Sequence, residues 1–337
     1  MAARARVRSV SQGISLRVFT GKLYTSLCVS NFPNSSVVIS DEVSSALDEG
    51  RGVVALETTI VVHGLPAPTN LDVAASCESA VRMSGSVPAT IGVLGGQVIV
   101  GLSTKQLELL AEPSLEAAKL SARDVGLAVG LGRDGATTVA GTITVAQRVG
   151  ICVMATGGLG GVHREAQTSF DESADLTALS RTSVLVVASG VKSILDVGAT
   201  LERLDTLGVP VVGYRTTQFP GFYRSDSGFS IDWSVADARE AAVAFLAHRD
   251  FSSTGMLLAN PVAAEDQLDG ELHEQALASA FNVARTLGVS GKEVTPVLLA
   301  EFARFSAGLS VTVNRDLVIA NAKLAGEVAS ALRTSRS

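Results

Sequence analysis

Glu57 stands inside an apolar run, VVALETTIVVHG at residues 53–64, where a carboxylate is costly unless it is paired, hydrogen-bonded or protonated. Such a residue is a candidate general acid, and the position fits a structural glutamate paired with an arginine equally well. Lys192 follows the run VLVVASGV at 184–191 and is one of few lysines in the chain. An amine desolvated at the end of a buried strand stays neutral enough to attack a carbonyl carbon; the alternative is a lysine snorkelling from a strand end. GGLGG at 157–161, with His163 and Arg164 beside it, supplies backbone that can approach an anion closely, or simply a tight strand-to-helix turn. Asp171, Ser173 and Asp175 lie within the segment FDESAD at 170–175, a spacing that suits a hard cation keeping much of its water. Asp171 could equally cap the helix that follows.

Gly130, Gly132 and Gly135 match the dinucleotide pattern G-x-G-x-x-G. The preceding SARDVGLAVG is ambiguous as a strand, and the next strand ends in Ala155-Thr156-Gly157 without an acidic residue for a cofactor ribose, so a loop is the better reading. His63, His248 and His273 show no ligand spacing, and the latter two fall in segments that read as solvated helices.

Residues so scattered need a frame that brings strand ends together, and from Val53 onward apolar runs alternate with segments of helical period. The runs at 53–62, 87–94, 151–158, 184–191, 209–214 and 255–262 read as strands, most of them buried. Between the first two lies LDVAASCESAVRM at 71–83, a helix behind Thr69 and Asn70 as caps. Gly95-Gly96 followed by QVIVGL predicts a hairpin, and Ser103 with Gln106 predicts a capping box. Residues 295–308 and 313–332 have helical periodicity and should cover the sheet. The expected fold is α/β, a single three-layer α/β/α domain over residues 41–335 with a mixed, largely parallel central sheet. In open α/β sheets ligands collect beyond the carboxyl ends of strands, which is where the polar candidates fall.

Composition narrows the function classes. The chain has 337 residues, 47% hydrophobic and 18% charged, as in a well-buried globular protein. A net charge of −6 and 4% aromatic residues offer neither a phosphate-tracking surface nor stacking platforms, so no polymeric nucleic-acid partner is expected. Cys28, Cys77 and Cys152 are an odd count without metal spacing, which fits a reducing compartment. No apolar run approaches the roughly 18–20 residues that span a bilayer, so no membrane partner is expected. Residues 1–40 contain no acidic residue, carry Arg4, Arg6, Arg8, Arg17 and Lys22, and are rich in serine. That composition resembles a transit peptide, or else a dispensable leader, and the segment is set outside the fold. The expected location is the cytoplasm, or a mitochondrion or other organelle if the leader is a targeting signal.

The segments taken together resemble the pseudouridine-5′-phosphate glycosidase family, also known from indigoidine gene clusters. The resemblance runs from about residue 39 to 332, in the family's order and without a large insertion. It is carried by VVALETTIVVHGLPAPTN, VPATIGVLGGQVIVGLS, KLSARDV, GATTVAGT, ATGGLGGVHREAQTSFDESADL, SGVKSILD, LANPV, GKEVTPVLLA and NRDLVIANAKLA. Thr58 departs from the more usual serine after the glutamate, and Val191 stands where a small residue commonly precedes the lysine. The resemblance implies a single α/β/α domain, assembled as a homotrimer with one Mn²⁺ per subunit. It implies Glu57 as proton donor, Lys192 as nucleophile and Asp171 as metal ligand. Lys119, Val139, Ser173, Ala174 and Asp175 would bind substrate, with His163 and Asn314 as further pocket residues.

The implied reaction is reversible cleavage of the C–C glycosidic bond of pseudouridine 5′-phosphate to uracil and ribose 5-phosphate. Carbon is a poor leaving atom, so the two-carboxylate scheme for ordinary glycosides is inadequate and an electron sink is needed. By the resemblance, Glu57 protonates the ribose ring oxygen while Lys192 attacks C1′ and forms an imine with the opened sugar. Two alternatives from other classes are a nicotinamide-binding oxidoreductase, suggested by Gly130, Gly132 and Gly135, and a non-catalytic nucleotide-binding protein.

Overall fold

Residues 36–289 and 294–334 are described by the computed structural model, so the leader lies outside the described residues except for its last five positions. The strands are β1 (Val37–Ile39), β2 (Val53–Leu56), β3 (Val87–Leu94), β4 (Gln97–Val100), β5 (Ala118–Leu120), β6 (Gly135–Thr137), β7 (Val153–Ala155), β8 (Val162–His163), β9 (Leu185–Ala188), β10 (Leu195–Asp196), β11 (Val211–Tyr214), β12 (Trp233–Val235) and β13 (Met256–Ala259). The main sheet runs in the order β1-β4-β3-β2-β7-β9-β13-β11-β12, with β6 also on β3 and β5 on β6. From β2 to β12 every neighbour is parallel. β3 joins two regimes: residues 87–90 pair parallel with β2, and residues 91–94 pair antiparallel with β4 and β6. The expected mixed sheet is therefore present, with the antiparallel part confined to one side.

All residues of β2, β7, β9 and β13 are buried. Side chains alternate between the faces of a strand, so these strands are covered on both faces, which is why they read as continuous apolar runs. The long helix Leu309–Thr334 packs on β2, β7 and β9, and on the helices Thr69–Met83 and Ala238–Phe251. The Gly95-Gly96 hairpin has φ of 55° and 74°, the left-handed pair that a two-residue turn needs, and Leu94 faces Gln97 across it. The Ser103–Gln106 capping box is formed as expected. Among the described residues no single helix is long and apolar enough to cross a membrane.

Two expectations shift. β2 stops at Leu56, and residues 60–64 form a π-helical turn, so Glu57 stands on a strand end and not within a strand. β1 belongs to the sheet, parallel to β4, although residues 37–39 lie inside the stretch set apart as leader. Those three residues have the apolar, β-branched character of a strand; the preceding basic segment masked it.

Candidate active site

Every site residue implied by the family resemblance lines one cleft, at the carboxyl ends of the parallel strands. Glu57 follows β2, Thr156 to Gly158 follow β7, and Lys192 follows β9 by a short turn. β5 contributes Lys119 directly. Two other cavities, of about 510 and 380 Å³, open instead at strand amino ends, one beside Val211 and Trp233 and the other beside Val53 and Val153. Neither is lined by a residue that the resemblance implies for the site, although His248 borders the first.

The glycines of GGLGG allow close packing, and the anion they meet is the protein's own. A Cβ on Gly158 would lie 2.5 Å from the Phe222 ring, and one on Gly160 would lie 2.2 Å from Ser173 Oγ. The Gly160 N–H donates to Asp175 Oδ2, and the Ala140 N–H donates to Asp175 Oδ1, both at 2.9 Å. Asp175 is buried with both oxygens engaged, so it positions this loop and the first turn of the helix Val139–Arg148. The amino end of that helix lines the cleft, where its dipole favours negative charge. Val139 itself is buried at the first turn of that helix. Ser173 caps the short helix Ala174–Leu179, a role that had been open to Asp171.

The same loop fixes Lys192. Leu159 N–H donates to Gly190 O at 2.9 Å, and Lys192 N–H donates to Leu159 O at 3.1 Å. β8 and β10 then pair antiparallel, Leu195 with His163. Lys192 and His163 are thereby set on adjoining segments, both half-buried. Burial holds the His163 imidazole below its usual pKa; the nearby Asp171 carboxylate opposes this, while the Lys192 and Lys119 ammonium groups add to it. His163 Nδ1 lies 3.8 Å from Asp171 Oδ2. Arg164 turns away, over the ring of Phe281.

Glu57 keeps some solvent access through the cleft, yet its carboxyl is enclosed deeply by protein. Burial raises its pKa above the usual carboxylate range. The Lys192 ammonium, a hydrogen bond from Thr156 and the more remote Lys119 pull it down, and Asp175 adds to the rise. The net direction is that of a group able to carry a proton nearer neutrality.

Asp171 is a single half-buried carboxylate. Its neighbour Glu172 is engaged with Arg203 at 2.9 Å, and among the described residues no three His, Cys, Asp or Glu side chains gather closely enough to hold an ion. The donor set excludes an all-protein cage and fits a divalent cation that retains most of its water.

Buried polar atoms without a partner include Thr59 Oγ1, Ser121 Oγ and Asn314 Oδ1 among the described residues, and all three residues line the cleft. An unmade hydrogen bond of this kind costs about 1–3 kcal/mol, which a ligand can recover. Thr59 and Ser121 were not singled out in the sequence, where isolated hydroxyls carry no signal; their adjacency to Glu57 and Lys119 was the available clue. Asn321 was also missed. It is wholly buried on the helix Leu309–Thr334, donates from Nδ2 to Thr156 O (2.8 Å), Gly157 O (3.3 Å) and Ser189 Oγ (3.1 Å), and accepts from Asn260 Nδ2 at 2.9 Å. One amide thus ties together the ends of β7, β9 and β13.

The remaining candidates do not gather. Gly130 ends the helix Ala122–Gly130 and Gly135 begins β6, the reverse of the strand-to-helix order a dinucleotide loop requires. His273, expected to be solvated, is buried edge-on to Phe302 because its helix packs against the helix Val294–Phe305.

A family model described as "Indigoidine synthase A like protein" matches residues 42–331. A pseudouridine-5′-phosphate glycosidase of Salinispora tropica is 55% identical over 290 residues, 86% of this chain and 89% of that protein. One from Streptomyces griseus subsp. griseus is 50% identical over 302 residues, 89% and 93% respectively. Among solved structures, the prealnumycin C-glycosynthase AlnA in complex with ribulose 5-phosphate superposes with a TM-score of 0.83 at 39% identity, covering 90% of this chain and 99% of that one. An indigoidine synthase A-like protein from Thermotoga maritima does so at 0.80 and 35% identity, covering 89% and 98%.

Proposed function

This chain belongs to the indigoidine synthase A-like family, and from that premise we propose that it cleaves the C–C glycosidic bond of pseudouridine 5′-phosphate, reversibly, to uracil and ribose 5-phosphate. One observation carries the reading beyond family membership. The cleft has two lobes that share Glu57, Thr59, Lys119, Lys192 and Thr295. One is polar, with Lys119, Ser121, Arg123 and the amino end of the helix Val139–Arg148 set beside the carboxylates of Asp171, Glu172 and Asp175; the other adds Ile60, Phe222, Leu299 and Asn314. A sugar phosphate suits the first and a flat, partly polar base the second, so the bond between them lies at the acid and the amine.

In this reading Glu57 donates a proton to the ribose ring oxygen as the Lys192 amine attacks C1′, and the C1′–O bond breaks to leave a free hydroxyl. Uracil C5 then takes up a proton, and the lysine nitrogen pushes out the C1′–C5 electron pair, leaving an iminium on Lys192 and neutral uracil. Water adds to the iminium and releases ribose 5-phosphate. Asn314 and Thr59 offer unpartnered atoms to the base, and Ser121 and Lys119 face the phosphate lobe. Asp171 would hold a hydrated Mn²⁺, which supplies positive charge beside the phosphate. One ion per subunit and a homotrimer are part of the proposal, carried over from the family.

The test is uracil release from pseudouridine 5′-phosphate. Activity should vanish in chelator and return with Mn²⁺, and Asp171→Ala should not respond to the metal; full turnover in chelator overturns the metal role. Lys119→Ala should raise KM for the phosphorylated substrate by about 10- to 100-fold, the worth of a charge-assisted contact. Any residual action on unphosphorylated pseudouridine should hardly change. Equal losses on both substrates would remove Lys119 from phosphate recognition.

A further inference from the structure

Glu57 and Thr156 each stand one residue beyond the register pair Leu56–Ala155 that ends β2 and β7. Adjacent parallel strands carry such residues side by side at one level of the sheet, on the same face. The geometry points to Thr156 as the residue that aims Glu57. Its hydroxyl donates to Glu57 Oε1 at 2.5 Å, while its side chain is almost wholly buried. A buried hydroxyl has one proton to give, and here it goes to the carboxyl. Oε2 is left as the oxygen that Thr156 does not engage, and so the one to deliver the proton.

The threonine is itself held on both sides. Its N–H donates to Val187 O at 3.0 Å in the sheet, and its carbonyl accepts from Asn321 Nδ2 at 2.8 Å. Asn321 in turn grips Ser189 Oγ at 3.1 Å, three residues before the nucleophile. Acid and amine are therefore referenced to one buried amide, so that a shift of one strand end is carried to the other.

The hydroxyl hydrogen bond favours the carboxylate form and opposes the burial that raises the pKa. The charged groups facing Glu57 are Lys192 after β9, Lys119 on β5 and Asp175 at the start of the helix Ala174–Leu179. Cys77 borders the small cavity behind it and has its thiol pushed up to about 12 by burial, so it stays neutral. His63, across the base lobe, has its pKa lowered, by burial first and the Lys119 charge second. None of these replaces the hydrogen bond if Thr156 loses its hydroxyl.

The inference rests on the glycosidase reading, and Thr156 is a positioning residue in it. The experiment measures uracil release across pH by wild type, Thr156→Val, Thr156→Ala and Thr156→Ser. Valine and alanine should lower kcat by about 10- to 100-fold, the worth of one hydrogen bond to a charged group, with KM for pseudouridine 5′-phosphate little changed. Turnover needs Glu57 protonated and falls as pH rises through its pKa. Removing a bond that stabilises the anion should therefore move that alkaline limb upward by about one pH unit. Serine should restore both kcat and the limb. Unchanged kcat and limb in Thr156→Val and Thr156→Ala, or a serine variant as impaired as valine, overturns the assignment while leaving the reaction intact. A wild-type chain that releases no uracil overturns the reading and this inference with it. If valine and alanine fail to fold, the serine variant decides alone, since a loss or a shifted limb there is incompatible with a role carried by the hydroxyl.

Discussion

Lys192→Ala should lose uracil release on the order of 10⁴-fold, as expected when the group that forms the covalent bond is removed. The same variant should give no adduct when borohydride is added with either pseudouridine 5′-phosphate or ribose 5-phosphate. Wild type should give a reduced ribose-phosphate adduct on the peptide containing Lys192. The competing site is specific: Lys119 lines both lobes of the cleft as Lys192 does. What separates them is placement. Lys192 leaves a buried strand through a turn pinned to Leu159, whereas Lys119 lies within the short strand β5 among the groups of the phosphate lobe. An adduct on Lys119, or substantial turnover by Lys192→Ala, would reverse the two roles.

Glu57→Gln should lower turnover by about 10²- to 10⁴-fold, the usual contribution of a positioned general acid, with substrate affinity largely retained. The amide cannot donate the proton that opens the ring, so borohydride should trap nothing from pseudouridine 5′-phosphate. Ribose 5-phosphate presents an open-chain aldehyde without help from an acid, and it should still be trapped on Lys192. That contrast assigns Glu57 to ring opening and not to amine attack in general. In wild type the carboxyl is held above its ordinary range, chiefly by burial. Activity should persist toward neutral pH and decline as the pH rises through the shifted value, and the alkaline limb should be lost in the glutamine variant. A limb of the same position in Glu57→Gln would mean that another group supplies the proton.

Much of this site is legible in the sequence for a definite reason. Buried parallel strands write themselves as unbroken apolar runs, and a parallel sheet puts functional groups at their carboxyl ends. Lys192 was therefore visible as a polar residue bordering such a run, and Glu57 as one interrupting a run that the structure ends at Leu56. Asp175 was visible as an acidic residue, but the sequence could not tell that its two oxygens would be spent on the Gly160 and Ala140 amides. GGLGG looked like an anion cradle because its backbone is exposed on paper; in three dimensions its missing Cβ atoms make room for Phe222 and Ser173. Thr156 and Asn321 were illegible for a different reason. Their meaning lies in partners across the chain, at separations of 99 residues for the hydroxyl and 165 for the amide, and no local period encodes either.

The position of Asn321 also bears on when the protein becomes an enzyme. All the described strands precede the helix Leu309–Thr334 in the chain, and since a domain generally folds as a unit, this one is not complete until that helix has been made. The strand ends that carry Glu57 and Lys192 are made first, while the amide that ties the ends of β7, β9 and β13, together with Asn314 in the base lobe, emerges afterwards. A nascent chain halted before Leu309 would contain the amine and the acid without the clasp that sets them against each other. The acid and the amine proposed for the reaction would be set against each other only once that helix has been made and docked.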